Sequence, residues 1–143
     1  MSKIIYDADA MKFMSSFEFI TRSKVKDFVV NDNFLLFIVP AGFARKAVGP
    51  KGANVRRLEK VFKKKVKIVE FAPEPVSFIK NLVYPLRVTD VIKEDGVFTL
   101  IPVDSRTRSV LIGKNASNLR FYESVVKRFF PVKELKVGRQ NGK

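Results

Sequence analysis

Two short stretches hold residue types suited to one kind of chemistry. Gly49-Pro50-Lys51-Gly52 leads into Asn54, Arg56 and Arg57, and Gly113-Lys114-Asn115-Ala116 leads into Asn118 and Arg120. Each is a tight turn standing directly ahead of a helical pattern. The first N–H groups of a helix lack intrahelical partners and sit at the positive end of its dipole, so they attract phosphate. Glycine at the turn lets a phosphodiester backbone come close, and Lys51 or Lys114 adds a mobile cation at the same spot. Arg56, Arg57 and Arg120 add longer-range attraction. The spacing predicts two clamps for a phosphate backbone. Two glycines three residues apart also fit a helix C-cap at Gly49 followed by a turn. In the second stretch Ala116 replaces the closing glycine. Its methyl hinders close approach, while Lys114 and Asn115 can still donate.

These turns recur because the chain repeats itself. With Gly49 set over Gly113, an offset of 64, Val48 lies over Ile112, Asn54 over Asn118, Arg56 over Arg120, Leu58 over Tyr122 and Val61 over Val125. Positions 55, 58, 61 and 62 share one helical face, as do 119, 122, 125 and 126, and these faces are expected to point inward. Arg56, Arg57, Lys60, Lys63 and Lys64 remain for solvent or a partner. The second copy keeps only Arg120, Lys127 and Arg128 there. Upstream, two strand-like runs are joined by Asn31-Asp32-Asn33, residues that tolerate left-handed backbone. Their counterparts are joined through Asp95-Gly96, a strong hairpin signal. A helix precedes each pair. The first has Ala10, Phe13, Met14, Phe17 and Ile20 inward and Asp7 or Asp9 as N-cap. The second starts at Pro75 with Val76, Ile79, Leu82 and Val83 inward. A strand closes each half, at 66–71 and 132–137. Bases would be read between the basic helix and that strand, by Asn54, Arg57 and residues 66–69.

The halves meet near Ala72–Glu74, where Pro73 and Pro75 predict a stiff junction. The expected division is 1–72, 73–138 and a disordered basic tail, 139–143.

Composition bounds the function. The chain has 143 residues, 46% hydrophobic, and a net charge of +14. A core is within reach, and an excess of positive charge this large points to a polyanionic partner. Cysteine and histidine are absent, which removes disulfides, thiol nucleophiles, imidazole acid–base work and the usual zinc sites. The longest apolar run is half a membrane span and contains Pro40, and Asp7 and Asp9 stand where a signal peptide needs apolar residues. A soluble, cytoplasmic, monomeric protein is expected, with no membrane, metal or cofactor. A phosphate-binding P-loop does not fit, because Asn115 follows Lys114 and Arg108 occupies the earlier glycine position. Asp90, Glu94, Asp95 and Asp104 are the only acidic grouping. The hairpin accounts for Asp95 and a helix N-cap for Asp104, so no enzyme is expected. Most of the fourteen phenylalanines fall at core positions. Phe43, just ahead of the first turn, is the candidate for stacking on a base.

A glycine loop between two helices, after a hairpin and ahead of a basic helix, resembles the KH domain. There the loop clamps about four nucleotides of single-stranded backbone. The order helix–strand–strand–helix–helix–strand is the type II arrangement. Two in tandem, with "AVGPKGANVRRL" and "SVLIGKNASNL" as the most specific parts, are similar to the KH pair of the NusA family in its short archaeal form, over roughly residues 3–138. From its length of 143 residues the chain is expected to lack the amino-terminal polymerase-binding domain and the S1 domain of bacterial NusA. The resemblance implies an α/β fold of two type II KH domains, each with a three-stranded mixed sheet. It also implies RNA binding in transcription termination or antitermination. A module docking on RNA polymerase, or a binder of single-stranded DNA, remains open.

Overall fold

The computed structural model describes residues 7–139. The chain divides into two compact units between Pro73 and Glu74. The expected tail lies, from residue 140 on, outside the described residues.

The first unit runs α1 (Ala8–Thr21), β1 (Asp27–Val30), β2 (Leu35–Val39), α2 (Ala44–Val48), a 3-10 turn (Pro50–Gly52), α3 (Ala53–Phe62) and β3 (Val66–Glu70). The second repeats this order with α4 (Pro75–Val83), β4 (Val88–Glu94), β5 (Val97–Pro102), α5 (Ser105–Ile112), a 3-10 turn (Lys114–Ala116), α6 (Ser117–Lys127) and β6 (Glu134–Val137). Each unit has its own three-stranded sheet, ordered β1-β2-β3 and β4-β5-β6. In both, the hairpin pair is antiparallel and the last strand joins the centre in parallel. The parallel pairing requires a crossover, and the two helices around the glycine turn supply it.

Side-chain chemistry explains the boundaries. Asp7 caps α1, accepting from the Ala10 N–H at 2.8 Å. Glu74 caps α4, accepting from the Val76 and Ser77 N–H groups, and Pro75 takes the first helical position. Asp104 caps α5 through the Thr107 N–H at 2.8 Å. These backbone donors pull the Glu74 and Asp104 carboxyls below their ordinary values. Asp95 and Gly96 both have positive φ, as a two-residue type I′ hairpin requires. Asn31-Asp32-Asn33 turns differently. None of the three is left-handed. The Asn31 side chain accepts from the Asn33 N–H at 2.7 Å, and its own N–H donates to the Phe34 carbonyl, so a side-chain-closed turn replaces the positive φ.

Phenylalanines dominate the first core. Phe17 stacks on Phe37 at 4.4 Å between centroids, and Phe13 meets Phe28 at 5.3 Å and Phe62 at 5.0 Å. Ala10, Met14 and Ile20 complete the inner face of α1. Phe43 also packs against this cluster, so its ring serves the core. In α4, Ile79, Leu82 and Val83 are buried as the periodicity predicts; Phe78 is buried with them, and Val76 is only half-buried. Val61 departs from the expected face and is 55% exposed, whereas Val125 is buried.

Candidate nucleic-acid interface

Both turns have one backbone shape. Gly49 lies at φ 81°, ψ 165° and Gly113 at φ 74°, ψ 176°. Each ends the preceding short helix by donating its N–H four residues back, to Arg45 and Ser109 respectively. Gly49 is therefore a helix C-cap, as the spacing of the two glycines allows, and it opens the turn that follows. Lys51 and Asn115 are left-handed at φ 54° and 55°. Gly52 and Ala116 follow at φ 75° and 61°, and each donates back to the first glycine's carbonyl.

Asn54 and Asn118 are the pins. The Asn54 amide donates to the Lys46 carbonyl at 3.2 Å, and that of Asn118 donates to the Val110 carbonyl at 2.7 Å. Each amide ties the basic helix to the short helix before the turn. This packing explains the first glycine. A Cβ on Gly49 would stand 2.9 Å from the Asn54 backbone nitrogen, and one on Gly113 would stand 2.7 Å from the Asn118 side chain. Gly52 is unlike them. Its nearest neighbour would be an Arg56 guanidinium nitrogen at 3.4 Å, so only its backbone angle disfavours a side chain.

The helix starts beyond these turns lack a side-chain cap, and the Ala53 and Ser117 N–H groups donate to the Pro50 and Lys114 carbonyls. The carboxylates of Asp7, Glu74 and Asp104 cap α1, α4 and α5, but no side chain caps α3 or α6, which begin after Gly52 and Ala116. Pro50 is the first residue of its 3-10 turn, where the missing N–H costs nothing. Lys51, Lys114 and Asn115 are exposed. The positive dipole end of each helix and the nearby exposed cations can hold a phosphate oxygen by charge-assisted contacts.

Charge separates the copies. On α3, Arg56, Arg57 and Lys60 are exposed, followed by Lys63, Lys64 and Lys65. The Arg56 guanidinium also braces the turn by donating to the Lys51 carbonyl. Glu59, the one acid on this helix, accepts from the Val66 N–H at 2.9 Å. The corresponding Glu123 accepts from the Leu135 N–H at 2.9 Å, and also pairs with Arg120 at 2.9 Å and Lys127 at 3.9 Å. The positive face of α6 is partly neutralised by its own helix.

The strand expected to line the first groove divides between two faces. Val66 and Ile68 pack into the core, so alternation puts Lys67 and Val69 on the opposite face of the sheet. Burial lowers the Lys67 amine to about 8. Near its end, the strand of each unit is tied to the short helix. The Ala44 N–H donates to Glu70 at 3.2 Å, and Arg108 donates to the Gly138 carbonyl at 3.2 Å. Sequence pattern missed both ties because they join residues 26 and 30 positions apart. Among the described residues no group of three acidic side chains is placed to hold a metal ion, and no helix is long and apolar enough to cross a membrane.

Element order, a mixed sheet in each unit and a glycine turn between paired helices make a duplicated α/β architecture consistent with tandem type II KH domains. The "Probable transcription termination protein NusA" of Methanocaldococcus jannaschii is 31% identical over 146 aligned positions, which cover 100% of this chain and 80% of that protein. The chain belongs to the family of archaeal NusA-like transcription termination proteins. The protein of the same name from Halococcus morrhuae is 26% identical over 130 residues, 90% of this chain and 94% of that one. The "Transcription termination/antitermination protein NusA" of Bacillus subtilis is 37% identical over 75 residues, 51% of this chain but 20% of its own length. The crystal structure of APE1850 matches with a TM-score of 0.70 at 23% identity, over 93% of this chain and 100% of that one. No family model matches.

Proposed function

We infer that the chain binds single-stranded RNA through both units, with residues 1–72 and 73–138 as its KH domains, and acts on nascent transcripts in termination or antitermination. One observation carries this reading. The two helices that begin at glycine turns have no carboxylate at their start, while α1, α4 and α5 each have a carboxylate cap and the Ala44 N–H at the start of α2 donates to Glu70. A carboxylate at the turns would repel phosphate, and its absence leaves the positive dipole end of each helix unneutralised. In this reading Gly49, Pro50 and Gly52 shape the first clamp, and Lys51 and the dipole end of α3 hold the phosphate. Arg56 braces the loop and Arg57 adds an exposed cation. Gly113, Lys114, Asn115 and Ala116 do the same more weakly, with Arg120 partly neutralised. Asn54 and Asn118 hold the turns in shape.

Fluorescence anisotropy with labelled single-stranded RNA of 4 and 10 nucleotides tests this. If both units engage one strand, the longer RNA binds more tightly, because a single KH-type loop holds about four nucleotides. Affinity should fall with salt by about 0.7 log units per phosphate neutralised for each tenfold increase. Duplex RNA competing as well as single strands would remove the KH reading. Single-stranded DNA competing equally would remove the assignment to RNA.

A further inference from the structure

The copies also differ at the far end of the basic helix. Three residues, Lys63–Lys65, separate α3 from β3, whereas six, Arg128–Lys133, separate α6 from β6. The longer connection contains Phe129 and Phe130. Their N–H groups donate to the Val126 carbonyl at 3.1 and 3.0 Å, and their rings lie 5.5 and 5.8 Å from that of Phe78 on α4. Val125 and Val126 are buried there. The first unit has no such segment. Between α1 and α3 it has an open groove of about 430 Å³ lined by Asp9, Lys12, Phe13, Ser16, Val61 and Phe62. The second unit seats two of its own phenylalanines beside Phe78 of α4, while in the first, among the described residues, no such segment covers the aromatic floor.

Lysines flank this lining in sequence. Lys12 belongs to it, Lys60 and Lys63–Lys65 stand on either side of Val61 and Phe62 and are exposed, and Lys63–Lys65 line a second hollow with Glu59. Asp9 is the single acid in the lining. We propose that the α1–α3 groove docks an acidic protein segment, which inserts an aromatic side chain between Phe13, Val61 and Phe62 while its carboxylates meet the flanking lysines. Apolar insertion supplies the affinity and charge complementarity the selection of partner. The second unit's own aromatic pair shows the kind of group such helices accept. A protein suits the site better than RNA. Phosphate is drawn to the positive N-terminus of α3, and this groove lies at the other end of a ten-residue helix, roughly 15 Å away at 1.5 Å per residue. The proposal does not depend on RNA binding at the turns.

The probe is a 15-residue acetylated helical peptide of Glu and Ala with two phenylalanines four positions apart, titrated into isotope-labelled full chain and followed by amide chemical shifts. Expected shifts fall on Lys12, Phe13, Val61, Phe62 and Lys63–Lys65, away from the glycine turns. Val61→Asp should weaken binding at least tenfold with an unchanged melting temperature, since this side chain is mostly exposed. Lys64→Glu with Lys65→Glu should weaken it several-fold. A peptide with serines for the phenylalanines should not bind. Equal binding by the serine peptide, indifference to Val61→Asp, or no shifts at millimolar peptide would overturn the proposal. So would a ten-nucleotide RNA giving the same shift map, which would make the groove a nucleic-acid surface.

Discussion

Gly49-Pro50-Lys51-Gly52 and Gly113-Lys114-Asn115-Ala116 share only their first residue by position, yet their backbone angles agree at each step described above. The third position is lysine in one and asparagine in the other, both left-handed. The fourth is glycine or alanine, again left-handed. What the copies do share is the first glycine and the asparagine five residues on. That pair forms the turn, and the cations take no part in its shape beyond the brace from Arg56. Geometry and charge are therefore separable in this molecule. The scaffold is duplicated, and the positive face is strong in one copy and partly cancelled by Glu123 in the other.

The largest effect should come from the feature both copies hold in common. Gly49→Ala places a Cβ 2.9 Å from the Asn54 nitrogen in a backbone region that is essentially glycine-only. Strain and crowding together should cost about 3 kcal/mol. Gly113→Ala should cost a similar amount. Gly52→Ala should cost only about 1 kcal/mol, the penalty of left-handed backbone alone. Chemical denaturation of the three variants measures this ranking. Equal losses for Gly49→Ala and Gly52→Ala would break the argument that Asn54 dictates the first glycine. The same geometry makes Gly49→Asp a poor probe of RNA binding, because it damages folding as well.

Charge comes next. Arg57→Gln with Lys60→Gln removes two exposed cations from α3 and should weaken RNA binding about tenfold or more, with a shallower salt slope by about 1.4. Arg120→Gln with Lys127→Gln removes cations already paired with Glu123 and should cost a few-fold at most. Matched losses in anisotropy titrations would mean that the intrahelical pairs do not weaken the second face.

Much of this was legible in the sequence. The repeat, element order, glycine turns and caps all rest on interactions within about five residues, which sequence spacing reports directly. What escaped was non-local. Asn54 reads as a groove residue, and spacing does not reveal that its amide, like that of Asn118, also reaches back eight positions to close the turn. Val61 has the periodicity of a core residue, and nothing in its own helix reveals that its unit lacks the segment carrying Phe129 and Phe130. Phe43 looked free to stack on a base until the sheet placed a core beneath it. Residues 66–69 read as one groove wall, but strand alternation divides them, with Val66 and Ile68 in the core and Lys67 and Val69 on the other face of the sheet.

Lys67 gives the third contrast. Its place in β3 corresponds to Lys136 in β6, which is exposed. Burial lowers the Lys67 amine from 10.5 to about 8, so below pH 8 the folded state bears the full cost of holding it charged. Between pH 8 and 10.5 the unfolded chain binds a proton that the folded chain does not, and this group makes stability rise with pH. Lys67→Met should therefore stabilise the protein at pH 7 by about 1–2 kcal/mol, a gain that fades as pH approaches 10.5. Lys136→Met should change stability by less than about 0.5 kcal/mol at either pH. Urea unfolding at pH 7 and pH 10 checks both. A gain for Lys67→Met that is independent of pH would assign it to packing rather than to the buried charge.

The smallest effect tests the one position where the second turn departs from the first. Ala116 holds φ 61°, ψ 21°, a conformation costing a non-glycine residue about 1–2 kcal/mol. Ala116→Gly removes that strain but adds freedom to the unfolded chain, worth about 0.5–1 kcal/mol. The net gain in stability should be at most about 1 kcal/mol. If the turn holds a phosphate, the methyl also stands in its way, and RNA affinity should rise a few-fold in the same variant. Gly52→Ala is the reciprocal change and should lower both quantities. The two readouts separate the causes. Stability reports backbone strain whether or not RNA binds, whereas affinity reports the approach of the phosphate. If Ala116→Gly stabilises the fold and leaves RNA affinity unchanged, while Gly52→Ala weakens binding, then the first turn is a phosphate clamp and the second has kept its shape without that role.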